Sequence, residues 1–399
     1  MTDNSHNSRG SEVDPEVLTK CRGYEEYVEA KLGFRNHWYP TLFSDELAEG
    51  EFKSHAILGD RLLMTRVEGK VLAIRDRCLH RGVAFSKKPE CYRKGTITCW
   101  YHAFTYSMED GKLQDILTNP SSKLIGKVGI RTFKVEEVKG IIFVFMGEID
   151  PPDLSEDVPP GFLDDNLAVR GVRQPVASNW RVGCENGFDS THVFIHKDSI
   201  LLEGNDITLP LGFVPKSNDT FRVEDKAGAP KGVFDLLGQH CEPVFEGKIG
   251  GETVLKGRIG SKMVANDISV WLPGVLRVSP FPDPSLTQFE WYVAIDETRH
   301  FYFQVLGRTV ENDDEVAGFN QEFDEKWKDL ALAGFNDDDV WARVAQQEFY
   351  QDDRAWYLEC LFEPDKNIRE WRRLASSQNR GIQRHENILE GARILARNE

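Results

Sequence analysis

The chain has 399 residues, 40% hydrophobic and 29% charged, which is enough for two or three cored domains and too apolar for a disordered or collagen-like protein. Its formal charge of −16 has the wrong sign for a protein that works on phosphate backbones or anionic membranes, so neither is expected as a main partner. No run approaches the roughly 20 apolar residues of a membrane span, and the start is not signal-like, so a cytoplasmic protein with a frayed, polar N-terminus is expected.

Residues 15–33 (PEVLTKCRGYEEYVEAKLG) predict a short amphipathic helix, and the segment 1–34 is expected to pack with the catalytic part. The apolar period then changes. ILGDRLLMTRV and VLAIR flank a turn at Glu68, Gly69 and Lys70, a hairpin signal. The strand-like run TITCWYHAFTYS leads to a turn at Asp110 and Gly111, and GIIFVFMG at 140–147 reads as a further strand. Residues 35–150 thus predict an all-β domain. The proline-rich stretch EIDPPDLSEDVPPGF suits neither a helix nor a central strand and predicts a linker. Beyond it, 151–399 predicts an α+β domain. Its strongest hairpin is QFEWYVAIDETRHFYFQVL at 288–306, with helices around 185–196, from Glu322 to Phe349, and over 364–398.

Seven thinly spread cysteines do not form a secreted disulfide framework. Two of them lie beside histidines. Cys78-Leu79-His80 and Cys99-Trp100-Tyr101-His102 give two loops, eighteen residues apart, each offering one thiolate and one imidazole. A tetrahedral zinc ion is the bland alternative, but structural zinc sites usually pair like with like. One Cys and one His per loop suits a Rieske [2Fe–2S] cluster, one iron taking both sulfurs and the other both nitrogens. Cys91 is left over and is expected to be a buried free thiol. With one spare cysteine the loops cannot carry a disulfide of their own.

His192 and His196, four apart, would project from one face of a helix. With a one-electron donor upstream they predict a mononuclear iron completed by a carboxylate, for which Asp337, Asp338 and Asp339 are the candidates. Asp189 is either a helix-start cap or an acceptor for the His192 ring N–H and a bridge for an incoming electron.

Together with KLGFRNHWYP, NWR, VANDISVWLPGVLRVSPFP and GFNDDDVW, these motifs resemble the large subunit of Rieske non-haem iron aromatic-ring-hydroxylating oxygenases over nearly the whole chain. Among these it is most similar to the group with α-subunits only. The resemblance implies an all-β Rieske domain beside a helix-grip catalytic domain, in a homotrimer. It implies Cys78, His80, Cys99 and His102 as cluster ligands and His192, His196 and Asp339 as iron ligands, with Asp338 the adjacent alternative. It also implies Asp189 as the bridge that passes electrons from one subunit's cluster to its neighbour's iron. Ser190 stands where a proline follows this aspartate in close relatives.

The implied substrate cavity comprises Gly187, Val193, Leu211, Ala265, Ile268, Leu276, Val278, Phe281, Phe335 and Asn336, an apolar slot for a flat fused aromatic. The implied reaction uses O2 to dihydroxylate an aromatic ring, with angular attack on carbazole or a related heteroaromatic expected. Monooxygenation or demethylation of another aromatic, such as an oxoquinoline, is the rival. Arg75, Arg77, Arg81, Lys87, Lys88, Arg93 and Lys94 surround the first cluster motif against only Asp76 and Glu90, predicting an acidic ferredoxin as donor, itself fed by an NAD(P)H-dependent reductase.

Overall fold

A computed structural model describes residues 12–216, 222–224, 226–390 and 394–395, so most of the polar stretch expected to fray lies outside the described residues. From His37 to Met146 the chain forms small antiparallel sheets. Strands Phe52–Ile57, Asp60–Val67 and Lys70–Arg75 are joined by two-residue turns at Leu58-Gly59 and Glu68-Gly69, all four residues at positive φ. That backbone hand matches the twist of the strands, so the hairpins close tightly. Leu58 pays for its φ of 50° with a fully buried side chain and an N–H bonded to the Ala294 carbonyl at 2.7 Å.

The run over 96–107 is not one strand. Thr96–Thr98 and Phe104–Ser107 pair with each other, and residues 99–103 leave the sheet as a loop, closed by Ala103 N–H on the Cys99 carbonyl at 2.8 Å with Ala103 at φ 58°. A third sheet sets Ile141–Met146 between His37–Phe43 and Val135–Val138.

The second half is organised by a seven-stranded antiparallel sheet. In spatial order its strands are Leu167–Val176, His300–Thr309, Thr287–Ala294, Val275–Ser279, Asp267–Trp271, Gly232–Leu236 and Arg222–Glu224. Helix Trp180–Phe188 packs against its central strands and against helix Asn336–Tyr350. This is an α+β architecture in which helices grip one sheet.

Four helix expectations need correction. The segment 15–33 forms two helices, Pro15–Lys20 and Glu25–Glu29, because Cys21 caps the first and Gly23, at φ 95°, turns the chain. The helix around 185–196 is Trp180–Phe188, followed by a separate 3-10 helix, His192–Asp198. The helix expected over 322–349 starts earlier, at Asp313, and passes through a π-helical stretch, Phe323–Phe335, before Asn336–Tyr350. The C-terminal helix Lys366–Gln378 stops short of 398: the Asn379 side chain caps the Ala375 and Ser376 carbonyls, and Gly381, at φ 127°, redirects the chain. Residues 391–393 and 396–399 lie outside the described residues.

One hydrophobic core runs through both halves. It joins Trp38, Tyr39, Ile142 and Phe145 of the first to Trp271, Phe289, Trp291 and Phe303 of the second. The proline-rich stretch enters it with Leu154, Val158 and Phe162. Its Asp157 is buried, accepts from His37 Nδ1 at 2.7 Å and pairs with Arg380 at 2.8 Å. Among the described residues no helix is long and apolar enough to cross a membrane.

Candidate metal centres and cavity

The two Cys-His loops meet at the edge of the small sheets. Cys78 and Cys99 are 1% exposed and their sulfurs share a hydrogen bond. That contact pushes the Cys99 thiol down to about 6, whereas the same contact and burial push Cys78 up. The Tyr106 hydroxyl lies 3.4 Å from Cys78 Sγ. The imidazoles of His80 and His102 stand 4.3 Å apart, nearer the surface, and Phe104 stacks on His80 at 4.9 Å. Trp100 Nε1 donates to the Ala84 carbonyl at 2.9 Å and ties one loop to the other. Two thiolates inside and two imidazoles outside fit an iron–sulfur cluster ligated unequally at its two irons.

Two neighbouring expectations change. Cys91 is exposed, not buried: it begins the solvent-facing segment 91–94 that precedes strand Thr96–Thr98. Arg75 does not belong to the surface basic patch: it is 2% exposed and pairs with Asp60 at 2.8 Å. Arg77, Arg81 and Lys87 are exposed, whereas Lys88 is held by Glu90 and Lys94 by Glu68.

His192, His196 and Asp339 converge 3.4–3.5 Å apart, both Nε2 atoms facing Asp339 Oδ1. His196 Nε2 and Asp339 Oδ1 are buried without a hydrogen-bond partner among the described residues, and ligand atoms of the three residues lie within 4.8 Å of one another. A buried carboxylate and two imidazoles with lone pairs aimed at one point fit a divalent metal with open positions. Burial opposes charge at both ends of this cluster. Even so, Asp339 and Asp338 lift His196 to about 9, and His196, Arg343 and His192 hold Asp339 well below the carboxylate range.

The three successive aspartates separate cleanly. Asp337 is exposed, Asp338 meets His196 at Nδ1 (3.2 Å), and Asp339 alone faces both Nε2 atoms. Asp189 ends its helix instead of starting one. Its carbonyl, not its carboxylate, accepts from His192 Nδ1, which fixes that ring from outside. The carboxylate accepts from Thr191 N–H and Oγ1 at 2.7 and 2.8 Å.

Above the triad lies a narrow, mainly apolar cavity of about 60 Å³. The ten residues implied as its lining border it, except Leu211, whose side chain turns toward Gly247. Gly187 is required by close approach: a side chain there would run into the Tyr292 hydroxyl and Leu276. Phe335 stacks on His196 at 3.7 Å. Sequence reading missed Leu209, Leu237, Val264, Gln288 and Glu290, which also line the cavity. Strand alternation from Gln288 was the available signal, since Gln288 and Glu290 fall on one face.

Residues 37–134 match the Rieske [2Fe-2S] domain family, and residues 145–383 match the family described as homotrimeric ring hydroxylase. The carbazole 1,9a-dioxygenase terminal oxygenase component CarAa of Metapseudomonas resinovorans is 55% identical over 93% of this chain and 97% of its own length. Its counterpart from a Sphingomonas species is 60% identical over 91% of this chain and 97% of its own. Among solved structures, the reduced complex between oxygenase and ferredoxin in carbazole 1,9a-dioxygenase superposes with a TM-score of 0.93 at 54% identity, over 95% of this chain and 98% of that one. The terminal oxygenase from Novosphingobium sp. KA1 gives 0.91 at 58% identity, over 93% and 100%. With a thiolate–imidazole pair of loops in one half and an imidazole–carboxylate triad under an apolar cavity in the other, the chain belongs to the Rieske-type, homotrimeric ring-hydroxylase family, oxygenases that carry a [2Fe–2S] cluster and a mononuclear iron.

Proposed function

We propose that this chain is the terminal oxygenase of a carbazole 1,9a-dioxygenase system, adding one atom of O2 to the angular carbon beside the ring nitrogen and the other to the adjacent ring carbon of carbazole or a related fused heteroaromatic. The observation that carries the reading is the pair of orphaned atoms, His196 Nε2 and Asp339 Oδ1, beneath a cavity lined by Ile268, Leu276, Val278, Phe281 and Phe335. In this reading Cys78, His80, Cys99 and His102 hold the cluster, His192, His196 and Asp339 hold the iron, and Asp189 bridges electron flow between subunits of a homotrimer. The units are an N-terminal helical segment to residue 34, a Rieske domain over 35–150 and a catalytic domain from 151 onward. A ferredoxin, reduced through an NAD(P)H-dependent reductase, delivers electrons, and the protein works in the cytoplasm.

When bound, the metals supply one-electron transfer and reductive activation of O2. The chain supplies the rest. The apolar walls strip water from a flat ring and hold it above the triad. Phe335 shields one face of His196. The Asp189 carbonyl and the Asp338 carboxylate hold the outer nitrogens of the two histidines, leaving both Nε2 atoms pointing inward.

The test is product analysis with carbazole and 18O2 in a reconstituted electron-transfer chain. A product carrying two labelled atoms from one O2 is expected. One labelled atom, or loss of a methyl group from a methylated substrate in place of ring dihydroxylation, would favour a monooxygenase or demethylase.

A further inference from the structure

Beside the triad, a fully buried arginine joins the helix that carries Asp339 to the helix that precedes His192. Arg343 lies one turn beyond Asp339 on helix Asn336–Tyr350 and is 0% exposed. Its Nε donates to Asn186 Oδ1 at 2.6 Å, on the helix that leads into the His192 segment. Nη2 sits 3.8 Å from Asp339 Oδ2, 3.8 Å from Glu290 Oε2 and 3.4 Å from the Tyr292 hydroxyl. The guanidinium lies over the rings of Tyr302 and Tyr292, at 4.3 and 5.0 Å. Nη1 has no hydrogen-bond partner among the described residues.

We infer that Arg343 is a positioning residue of the iron site, drawing Asp339 Oδ2 backward so that Oδ1 faces the two imidazoles, and tethering the Asp339 helix to the helix that precedes His192. The inference rests on His192, His196 and Asp339 being the iron ligands. A carboxylate free to rotate would present either oxygen to either side; a cation fixed on one oxygen removes that freedom. The planar fork can serve Asn186 through Nε while Nη2 addresses the carboxylates, which a lysine point charge cannot reproduce. The aromatic pair beneath holds the plane of the fork, and Glu290 keeps the arginine from collapsing wholly onto Asp339.

The test uses protein stripped of mononuclear iron but retaining its Rieske cluster. Fe(II) is titrated anaerobically against a competing chelator, and the nitric oxide adduct is read by EPR. Wild type is compared with Arg343→Lys, Arg343→Gln and Asn186→Leu. Arg343→Gln should weaken Fe(II) binding by about 10–100-fold and alter the shape of the adduct signal, with the Rieske spectrum unchanged. Arg343→Lys should recover the affinity only in part, and Asn186→Leu should shift it in the same direction by less. Wild-type affinity and adduct signal in both Arg343 variants would overturn the inference. If those variants do not fold, wild-type values in Asn186→Leu would overturn it. Failure of the underlying ligand assignment looks different: His196→Ala would still bind Fe(II), or wild type would take up none.

Discussion

At the Cys-His loops the sulfurs are inside and the imidazoles stand toward the surface, whereas at the triad the imidazoles and the carboxylate are closed in together, His196 at 0% and His192 at 14% side-chain exposure. The loops are local structures, eighteen residues apart, packed on a small core of their own with Ile97, Tyr106 and Leu113. The triad is assembled from a 3-10 helix and from a helix far along the chain. The contrast follows from the two tasks. A centre that receives an electron from another protein must bring one edge of its ligand set close to that protein. A centre that handles O2 and an apolar ring must keep solvent off its ligands, and that takes walls from many elements.

Five substitutions break or sharpen this contrast. His196→Ala should abolish turnover and mononuclear iron content while the Rieske EPR and visible spectrum persist; simultaneous loss of both signals would show that the two centres are not separable. Asp189→Asn should leave both metals loaded, since the amide oxygen can still accept from Thr191, yet lower turnover by about 100-fold or more. Normal product formation with native metal content would remove Asp189 from the electron path.

Smaller effects test the exposed side. Lys87→Glu should slow stopped-flow reduction of the cluster by ferredoxin by up to about 10-fold and flatten its salt dependence, because charges at a docking rim act on the association rate. Lys88→Glu should do less, since Lys88 is already engaged by Glu90 at 2.7 Å. Rates indifferent to salt and to both reversals would move the docking surface elsewhere. The least effect concerns Asp365, whose carboxyl burial, with Asp189 nearby, pushes up to about 6. The folded form then holds its proton above the ordinary carboxylate range, so stability falls as pH rises from about 4 to 6. Asp365→Asn should match wild type at pH 4 and exceed it by about 1–2 kcal/mol at pH 7.5 in denaturant titrations.

How much of this was readable in the sequence depended on what each element buries. The cluster ligands sit at fixed spacing on two short loops, so adjacency in sequence was adjacency in space. The hairpins at 57–75 and 288–306 carried their turn residues openly. Helix Asn336–Tyr350 did the reverse of what apolar patterning assumes. It buries the polar residues Asn336, Asp339, Arg343 and Gln347 and exposes Trp341, Val344 and Phe349. Hydrophobic periodicity therefore could not phase it, and three successive aspartates were indistinguishable without the phase. The π-helical stretch Phe323–Phe335 ends where Phe335 and Asn336 enter the cavity and has no local signature. Asp189 looked like a helix-start cap because short acidic residues favour that position, yet here it closes the helix before it.

The core shared by Trp38, Tyr39 and Phe145 with Trp271, Trp291 and Phe303 has a bearing on how such chains are inherited. A crossover at the proline-rich stretch looks like a seam in the sequence, but it would part Asp157 from either His37 or Arg380 and leave half of an aromatic cluster without its other half. Lineages that shuffle electron-transfer modules would have to exchange the facing strands as well. The piece that selection can pass on intact is the whole chain, with its two centres changing partners and substrates by point substitution.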